Sequence, residues 1–340
     1  KNKPTFSSNE GVIINDGIAD CVANQLLVKF KPGTKPDAIL KKIDGEVLRY
    51  NPTLDYYLIQ YRAKLRLGEA KRALLATKQV LLAESNYVMK AFFTPNDTDF
   101  AKQWGCTSIN ACSGWDDSTG SASIKIAILD TGIDDTHPDL TGKVREGYNA
   151  IYGTTGLPGD DNGHGTHVAG IAAAIGNNNL GIAGVAWNCS LMAVKVLDSY
   201  GSGYYDDIIE GIIWAVEHGA HVINMSLGGR GYSRLLEDAV DYALGRNVVV
   251  VAAAGNDCKF SDNQVPASLP GVITVGATTP KDAKATFSTE SNYLCLAAPG
   301  DKIYSTIPGA GYAYMSGTSM ATPFVTGAVA LLKSKFGASL

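Results

Sequence analysis

The sequence IKIAILDTG, residues 124–132, decides the fold of the larger part of this 340-residue chain. Its first six residues form a near-continuous apolar run, which is typical of a strand buried on both faces of a sheet. Asp130 follows at the point where this strand should end. Because the functional side chains of parallel α/β sheets lie at the carboxyl ends of strands, the stretch predicts a buried strand that carries Asp130 into a site.

Similar apolar runs continue along the chain and alternate with helical patterns. The strand-like runs occupy residues 191–197, 222–225, 248–253 and 272–275, and the helical patterns occupy residues near 164–174, 207–218, 235–245 and 320–335. Buried strands that alternate with helices predict a doubly wound α/β domain with a mostly parallel sheet. We assign this domain to residues 93–340.

The first part of the chain has a different pattern. Residues 1–23 are polar and without periodicity, and we interpret them as a flexible leader. Residues 24–92 follow the order strand-helix-strand-strand-helix-strand. This order predicts a small α+β domain of the ferredoxin-like type, in which two helices cover one face of a sheet.

The two parts of the chain carry opposite charges. Residues 1–92 contain 15 lysines and arginines against 9 aspartates and glutamates, whereas residues 93–340 contain 14 against 24. The difference indicates either two solubilising surfaces or a basic segment that sits on an acidic partner within the same chain. A nucleic-acid partner is not expected, because the basic residues are interleaved with apolar ones and form no run.

Composition sets further bounds. The chain is 45% hydrophobic and 18% charged, enough for two buried cores, and it has no apolar run long enough to cross a membrane. No signal-peptide pattern is visible at Lys1, so we expect that any export signal has been removed or was not included. The six cysteines contain no CxxC pair, which argues against a zinc ribbon. The sequence is compatible both with free thiols and with a disulfide such as Cys106–Cys112.

Three short motifs contain residues that together suit nucleophilic catalysis. Asp130 begins DTG, His164 lies in NGHGTHVAG before a helix, and Ser319 lies in GTSMATP before another helix. Acyl transfer needs a nucleophile, a base and a carboxylate that orients the base, and these residues supply one of each. Taken singly they are weak signals: an Asp after a strand is usually a cap, and His164 with His167 could bind a metal, although the HExxH pattern is missing.

The chain resembles the subtilisin family of serine proteases through these motifs and the blocks VINMSLGG, residues 222–229, and AAAGN, residues 252–256. The order Asp, His, Ser along the chain is already known from subtilisins. The resemblance implies that Asp130 orients His164, that His164 is the general base, that Ser319 is the nucleophile and that Asn256 donates to the oxyanion. The two alternatives are a catalytically silent binding protein, against which the intact set of Asp130, His164, Asn256 and Ser319 argues, and a nucleotide-binding enzyme, whose GxxxxGK[ST] and GxGxxG motifs are absent.

The same resemblance implies a substrate pocket between two segments. The implied lining residues are Ser226, Leu227, Gly228, Gly229, Ala253, Gly255, Asp257 and Gln264. The walls are mostly small or apolar, so we expect protein and peptide substrates, broad specificity and a preference for large apolar or aromatic residues before the cut. Asp257, beside the pocket, or Gln264, at its floor, could also admit Lys or Arg.

A calcium site is implied by similarity to the thermitase-like subgroup, to which the start FTPND, residues 93–97, points. The implied ligands are the carboxylates of Asp97 and Asp139, the side chain of Asn178, and the carbonyls of Ile175, Leu180 and Ile182. Calcium prefers six to eight oxygen ligands of this kind. A plain polar turn over residues 175–182 is the alternative, and Asp160 and Asp161 are candidates for a different, weaker site.

Residues 24–92 resemble the family's pro-segment. The resemblance implies a zymogen whose pro-domain assists folding and inhibits the enzyme, and self-cleavage between Phe92 and Phe93. It also implies a secreted, extracellular and monomeric enzyme.

Overall fold

The computed structural model describes residues 12–62, 65–89 and 93–338. It divides the chain into two compact units, Lys1–Ala91 and Phe92–Leu340, and each is described by itself. Phe92, one side of the predicted cleavage site, lies outside the described residues.

The N-terminal unit is an antiparallel sheet with helices. Its elements are β1 (Ile13–Asn15), β2 (Asp20–Phe30), α1 (Pro36–Leu40), a 3-10 turn (Lys41–Ile43), β3 (Gly45–Asn51), β4 (Tyr56–Tyr61), α2 (Leu67–Leu75) and β5 (Val80–Tyr87). The sheet order is β5-β2-β4-β3, and β1 pairs with the first residues of β2. This is the predicted ferredoxin-like order of elements, with one extra strand at its start.

Local chemistry explains the two helices of this unit. α1 begins at Pro36, whose fixed φ suits the first turn of a helix. At the start of α2 the backbone N–H of Arg66 donates to Glu69 Oε2 at 2.8 Å, which satisfies one of the free amides of the first turn. The buried core between sheet and helices consists mainly of Leu26, Val28, Phe30, Ile39, Leu40, Ile59, Leu67 and Leu74.

The prediction of a flexible leader over residues 1–23 is wrong for residues 13–15 and 20–23, which form β1 and the start of β2. Asp16 causes the difference. Its Oδ1 accepts the backbone N–H of Ile18 at 3.1 Å in the turn between the strands, and its Oδ2 accepts the Ser85 hydroxyl at 2.6 Å. The hydrogen bond from the Ser85 hydroxyl lowers the pKa of Asp16 below its ordinary value, although partial burial of the carboxylate acts in the opposite direction. Residues 1–11 lie outside the described residues.

The C-terminal unit contains six helices and twelve strands among the described residues. The helices are α3 (Trp104–Ser108), α4 (Ala111–Asp117), α5 (His164–Ala173), α6 (Tyr205–Glu217), α7 (Arg234–Leu244) and α8 (Thr318–Phe336), after a 3-10 turn at Phe100–Lys102. The strands are β6 (Lys125–Asp130), β7 (Val144–Asn149), β8 (Thr154–Thr155), β9 (Ser190–Lys195), β10 (Val222–Met225), β11 (Gly229–Arg230), β12 (Val249–Ala253), β13 (Gln264–Val265), β14 (Ile273–Thr278), β15 (Leu296–Pro299), β16 (Ile303–Ile307) and β17 (Gly311–Met315).

The main sheet of this unit has the order β15-β14-β12-β10-β6-β9-β7-β8. Its neighbouring strands are parallel, except for the antiparallel pair β7–β8. Alternate residues of β6 enter two separate cores, Ile126 and Ile128 in one and Ala127 and Leu129 in the other. α5 and α8 belong to the first core and α6 and α7 to the second, so the predicted doubly wound α/β fold is confirmed.

The sheet places the sites of interest at one edge. β10 pairs in parallel with both β6 and β12, with Asn224 beside Ile128 and Met225 beside Ala252. The carboxyl ends of these three strands therefore lie together, and the segments that follow them carry the predicted site residues. In the described part of the chain, no helix has the length and apolar character that a membrane span requires.

Candidate active site

Asp130 and His164 form a hydrogen-bonded pair. Asp130 is the last residue of β6 and is fully buried, and its Oδ1 lies 2.8 Å from Nδ1 of His164, the first residue of α5. Burial disfavours the charged imidazole, but the charge and hydrogen bond of Asp130, with a smaller effect of Asp160, raise the pKa of His164 above its ordinary value. A neutral His164 held in this way can accept a proton on its other ring nitrogen.

Asp160 supports this pair and was not identified as a support from the sequence. Its Oδ1 accepts the N–H of Gly163 at 2.8 Å and its Oδ2 accepts the N–H of Thr166 at 2.9 Å, so it caps the start of α5. The Thr131 hydroxyl also donates to Asp160, at 2.8 Å. An acidic residue just before a helical pattern was the available sequence signal.

Gly165 allows α5 to approach the turn after β6. A Cβ atom at this position would lie 2.1 Å from the carbonyl oxygen of Gly132 and 3.2 Å from Cβ of Asp130. Any larger residue would push the helix, and His164 with it, away from Asp130.

Ser319 is the second residue of α8 and faces the same cleft as His164. The cleft has a volume of about 550 Å³, and His164, Ser226 and Ser319 are among its lining residues. The Ser319 hydroxyl donates to the backbone carbonyl of Ser226 at 3.0 Å. Because Ser319 lies in the first turn of a 19-residue helix, the helix dipole favours negative charge beside it.

Asn256 presents its amide nitrogen near Ser319. Its Oδ1 accepts the backbone N–H of Thr318 at 2.9 Å and the Thr318 hydroxyl at 3.1 Å, which fixes the orientation of the amide. A Cβ atom on Gly317 would lie 3.5 Å from Asn256 Nδ2 and 3.6 Å from the Ser319 backbone nitrogen. Both donors therefore border one small space, where they can hold a developing oxyanion.

A buried chain of polar side chains joins α8 to β10. Thr326 donates to Asn224 Oδ1 at 2.8 Å, Asn224 Nδ2 donates to Ser226 Oγ at 2.9 Å, and Ser226 Oγ donates to the Ser319 carbonyl at 2.8 Å. Satisfied buried networks of this kind fix the relative position of the elements they join. Asn224 and Thr326 were not singled out in the sequence, because nothing local marks two residues that meet across 102 positions.

One wall of the cleft is formed by one of the two predicted pocket segments, Ser226, Leu227, Gly228 and Gly229, and a second wall by the segment 200–203. The other predicted pocket residues, Ala253, Gly255, Asp257 and Gln264, are not among the residues that line this cleft. The Gly-rich sequence YGSG at residues 200–203 was the only available signal for this second wall. Ala253, also among the predicted pocket residues, is buried at the end of β12.

The predicted residues Gly255, Asp257 and Gln264 form a cluster of their own. A Cβ atom on Gly255 would lie 3.3 Å from Gln264 Nε2, and that nitrogen donates to Asp257 Oδ2 at 2.6 Å. Asp257 Oδ2 also accepts Nη2 of Arg230 at 2.9 Å, a partner that the sequence did not indicate.

His167 packs inside the C-terminal unit. It is fully buried, and its Nε2 lies 3.1 Å from the carbonyl oxygens of Ile303 and Ala313. Burial lowers the pKa of His167 to about 4, so the ring is neutral at ordinary pH. His164 and His167 therefore have separate environments, which argues against a shared metal.

The residues predicted to bind calcium lie together. Asp139 is fully buried, and its two oxygens accept Asn178 Nδ2 and the backbone N–H of Ile182, each at 2.9 Å. Asp97 Oδ2 accepts the N–H of Asn177 at 2.7 Å, whereas the buried Oδ1 has no hydrogen-bond partner among the described residues. Burial, with a contribution from the charge of Asp139, raises the pKa of Asp97.

The loop that follows completes this cluster. The backbone N–H of Ile175 donates to the Asp139 carbonyl, and that of Leu180 donates to Asn178 Oδ1, both at 2.8 Å. In the described ranges no three His, Cys, Asp or Glu side chains form a metal-binding group, so further ligands would have to be amide or carbonyl oxygens. Two buried carboxylates and one unpaired oxygen fit a calcium ion.

Asp160 and Asp161, the candidates for a weaker site, have other partners. Asp160 caps α5 as described above, and Asp161 Oδ1 accepts a hydrogen bond from the buried Nζ of Lys195 at 2.7 Å.

The six cysteines are all free, so the Cys106–Cys112 bridge is not formed.

Two protein families match the chain. Residues 121–339 match the subtilase family, and residues 8–86 match the fervidolysin N-terminal prodomain. A thermophilic serine proteinase of Bacillus sp. (strain AK1) is 43% identical over 318 residues, which cover 92% of this chain and 79% of that protein. Thermitase of Thermoactinomyces vulgaris is 48% identical over 244 residues, 72% of this chain and 86% of that protein.

Subtilisin E of Bacillus subtilis (strain 168) is 48% identical over 220 residues, which cover 64% of this chain and 57% of that protein. The catalytically silent alternative is not supported, since the family match and these relatives, one of them named a thermophilic serine proteinase, indicate a serine endopeptidase. The chain belongs to the subtilase family and is a thermitase-like serine endopeptidase made as a pro-enzyme.

Proposed function

We propose that Asp130, His164, Ser319 and Asn256 carry out peptide-bond hydrolysis in the cleft described above. The observation that carries the proposal is the 2.8 Å contact between Asp130 Oδ1 and His164 Nδ1, in a cleft that also contains Ser319 at the start of α8. The buried carboxylate fixes the tautomer with the proton on Nδ1, which leaves Nε2 free to act as a base.

The reaction proceeds in two halves. Ser319 Oγ turns from the Ser226 carbonyl, gives its proton to His164 Nε2 and attacks the scissile carbonyl carbon. The oxyanion of the tetrahedral intermediate accepts hydrogen bonds from Asn256 Nδ2 and the Ser319 N–H. His164 then protonates the leaving amine, the C–N bond breaks, and a water molecule repeats the sequence to release the acid and restore Ser319.

A direct test uses the processed enzyme, a chromogenic peptide and a serine-directed phosphonylating reagent. We expect turnover to stop as one equivalent of reagent reacts, and the adduct mass to appear on the peptide that contains Ser319. Heat-denatured enzyme serves as the control and should not react. Modification of a different residue, or turnover that survives stoichiometric labelling, would contradict the assignment.

We propose that the N-terminal unit acts as an inhibitor of the enzyme and a folding aid, and that self-cleavage separates Phe92 from Phe93. The basic character of residues 1–92 and the acidic character of residues 93–340 support this. Within the C-terminal unit the Phe93 ring packs on Trp187, with ring centroids 6.0 Å apart, so residue 93 already belongs to that unit. The resemblance to the family also favours secretion and a monomeric enzyme.

Incubation of the pro-enzyme should release a product that starts at Phe93, which intact-mass measurement can read. Separately produced residues 1–92 should inhibit the mature enzyme at micromolar concentration, and the inhibition should weaken with salt because it depends on charge. A new N-terminus outside residues 90–94 would refute the cleavage site. Absence of inhibition would refute the inhibitory role.

We propose a calcium site formed by Asp97, Asp139, Asn178 and the carbonyls of Ile175, Leu180 and Ile182. The unpaired Asp97 Oδ1 and the buried Asp139 support it. Calcium would neutralise two buried carboxylates and tie the segment around Asp97 to the loop 175–182. The ion would stabilise the mature enzyme without contact with the reacting groups.

Removal of calcium should therefore lower the melting temperature of the mature enzyme. A site that binds only the folded state contributes about 2.7 kcal/mol at a hundredfold excess over Kd, which corresponds to roughly 5–10 °C for a domain of this size. Asp139→Asn should lower the melting temperature similarly and should respond little to calcium. Asp241→Asn, an exposed change on α7, is the matched control. Identical melting of the inhibitor-blocked wild-type enzyme in chelator and in excess calcium would exclude the site.

A further inference from the structure

Three polar side chains form a cluster beside the cleft, next to Gly228, which lines the cleft. Gln264 Nε2 and Arg230 Nη2 both donate to Asp257 Oδ2, at 2.6 Å and 2.9 Å. The Gln264 residue is 7% exposed, whereas the side chains of Asp257 and Arg230 are 26% and 54% exposed. The pair Arg230–Asp257 is therefore open to solvent, while Gln264 is enclosed.

The position of this cluster follows from the backbone. β11 pairs with β13, so that Arg230 lies opposite Gln264. A Cβ atom on Gly228 would lie 3.9 Å from Gln264 Oε1, and one on Gly255 would lie 3.3 Å from Gln264 Nε2. The Gln264 amide thus lies between the backbones of the two segments that the resemblance assigns to the substrate pocket, and Asp257 directly follows Asn256 in one of them.

We propose that Arg230 is a specificity-determining residue: it occupies the Asp257 carboxylate, so a Lys or Arg residue before the scissile bond must compete with it, whereas an aromatic residue need not. This inference rests on the proposed function. It refines the expectation that Asp257 could admit basic residues. A charge pair affects the discrimination between substrates more strongly than it affects the total binding affinity. A substrate without the matching charge leaves the charge of the enzyme unpaired.

The ionisation of Asp257 is consistent with such a pair. The hydrogen bond from Arg230 lowers the pKa of Asp257 below its ordinary value. Partial burial acts in the opposite direction, and the hydrogen bond from Gln264 lowers the pKa further. The carboxylate is thus ionised at neutral pH, and its nearest cation is supplied by the protein itself.

Substitution of Arg230 tests the inference. Arg230→Met removes the charge and keeps a long apolar stem, and it should raise the ratio of kcat/KM for a Lys peptide to that for a matched Phe peptide about fivefold, as expected for a half-exposed charge pair. Turnover of the Phe peptide should change less than about twofold, because the charge of Arg230 does not act on it. Arg230→Gln, which keeps a neutral donor, should give a smaller increase.

Two controls separate a local effect from a general one. Arg234→Met removes an equal charge from α7, where Arg234 pairs with Glu237 and Asp238, and it should leave the ratio unchanged. The double variant Arg230→Met with Asp257→Asn should lose the increase, because no carboxylate remains to bind the substrate Lys. The increase should also shrink in high salt.

The outcomes are distinguishable. A Lys-to-Phe ratio that is unchanged in both Arg230 variants, or an increase that persists in the double variant, would overturn the inference and leave the proposed function intact. A wild-type enzyme that cleaves neither peptide and does not react with the phosphonylating reagent would overturn the proposed function and the inference together.

Discussion

Ser319→Ala should abolish peptide hydrolysis while leaving the fold intact. Loss of the nucleophile from a triad that acts as a unit lowers turnover roughly a millionfold, because only the oxyanion donors and binding remain. The fold should tolerate the change, since the Ser319 hydroxyl makes one hydrogen bond, to the Ser226 carbonyl. The hydrogen bond from the Ser226 hydroxyl to the Ser319 backbone carbonyl remains in the variant and keeps the start of α8 in place.

The assay must separate a missing nucleophile from a retained pro-domain. The variant cannot process itself, so we expect it to accumulate as a full-length chain of unchanged mass. Treatment with immobilised mature wild-type enzyme, which is then removed, should trim it at residues 92–93 and allow both proteins to be compared in processed form. Ser113→Ala, a change at an exposed serine on α4, is the matched control and should process and turn over normally.

Near-normal activity of trimmed Ser319→Ala would disprove the assigned nucleophile. An unfolded variant would instead show an altered melting curve and no longer bind the pro-domain. Retained binding of residues 1–92 together with lost turnover is the result that supports the assignment, since pro-domain binding does not require the Ser319 hydroxyl.

The sequence predicted those parts of the molecule that local chemistry determines. The end of β6 at Asp130, the start of α5 at His164 and the start of α8 near Ser319 were readable, because strand and helix boundaries carry their own residue patterns. The strand order of the main sheet was not predicted in detail, since the order depends on pairing between residues far apart in sequence.

Tertiary pairing also explains what the sequence did not indicate. Nothing in the local sequence distinguishes Asn224 and Thr326 from other polar residues, because their hydrogen bond forms only in the folded chain. The hydrogen bond between Arg230 and Asp257 likewise joins two segments that are separate in the sequence. β1 has only three residues, too few for a periodic pattern, and its pairing depends on the turn at Asp16. The leader was therefore misassigned where the structure has a hairpin.

Asn256→Ala should lower kcat by about a hundred- to a thousandfold, or roughly 3–4 kcal/mol of barrier. Asn256 Nδ2 and the Ser319 backbone nitrogen lie 3.5 Å and 3.6 Å from the position that a Cβ atom on Gly317 would take. In the proposed mechanism, negative charge appears near these two donors only after attack. A donor that acts on the transition state and little on the bound substrate changes kcat with little change in KM. Steady-state kinetics of the processed variant, with active sites counted by the phosphonylating reagent, measure both parameters.

The structural role of Asn256 calls for a second variant. Its Oδ1 accepts the N–H of Thr318 at 2.9 Å, so the alanine variant also loses a contact at the start of α8. Asn256→Asp keeps an acceptor for Thr318 but replaces the donor with an oxygen, and it should lose at least as much activity, because a negative charge would face the oxyanion. Asn188→Ala, at an exposed residue that bonds Thr119, should leave kcat unchanged. A large rise in KM with constant kcat in both Asn256 variants would show that Asn256 binds the substrate ground state and would remove it from the oxyanion site.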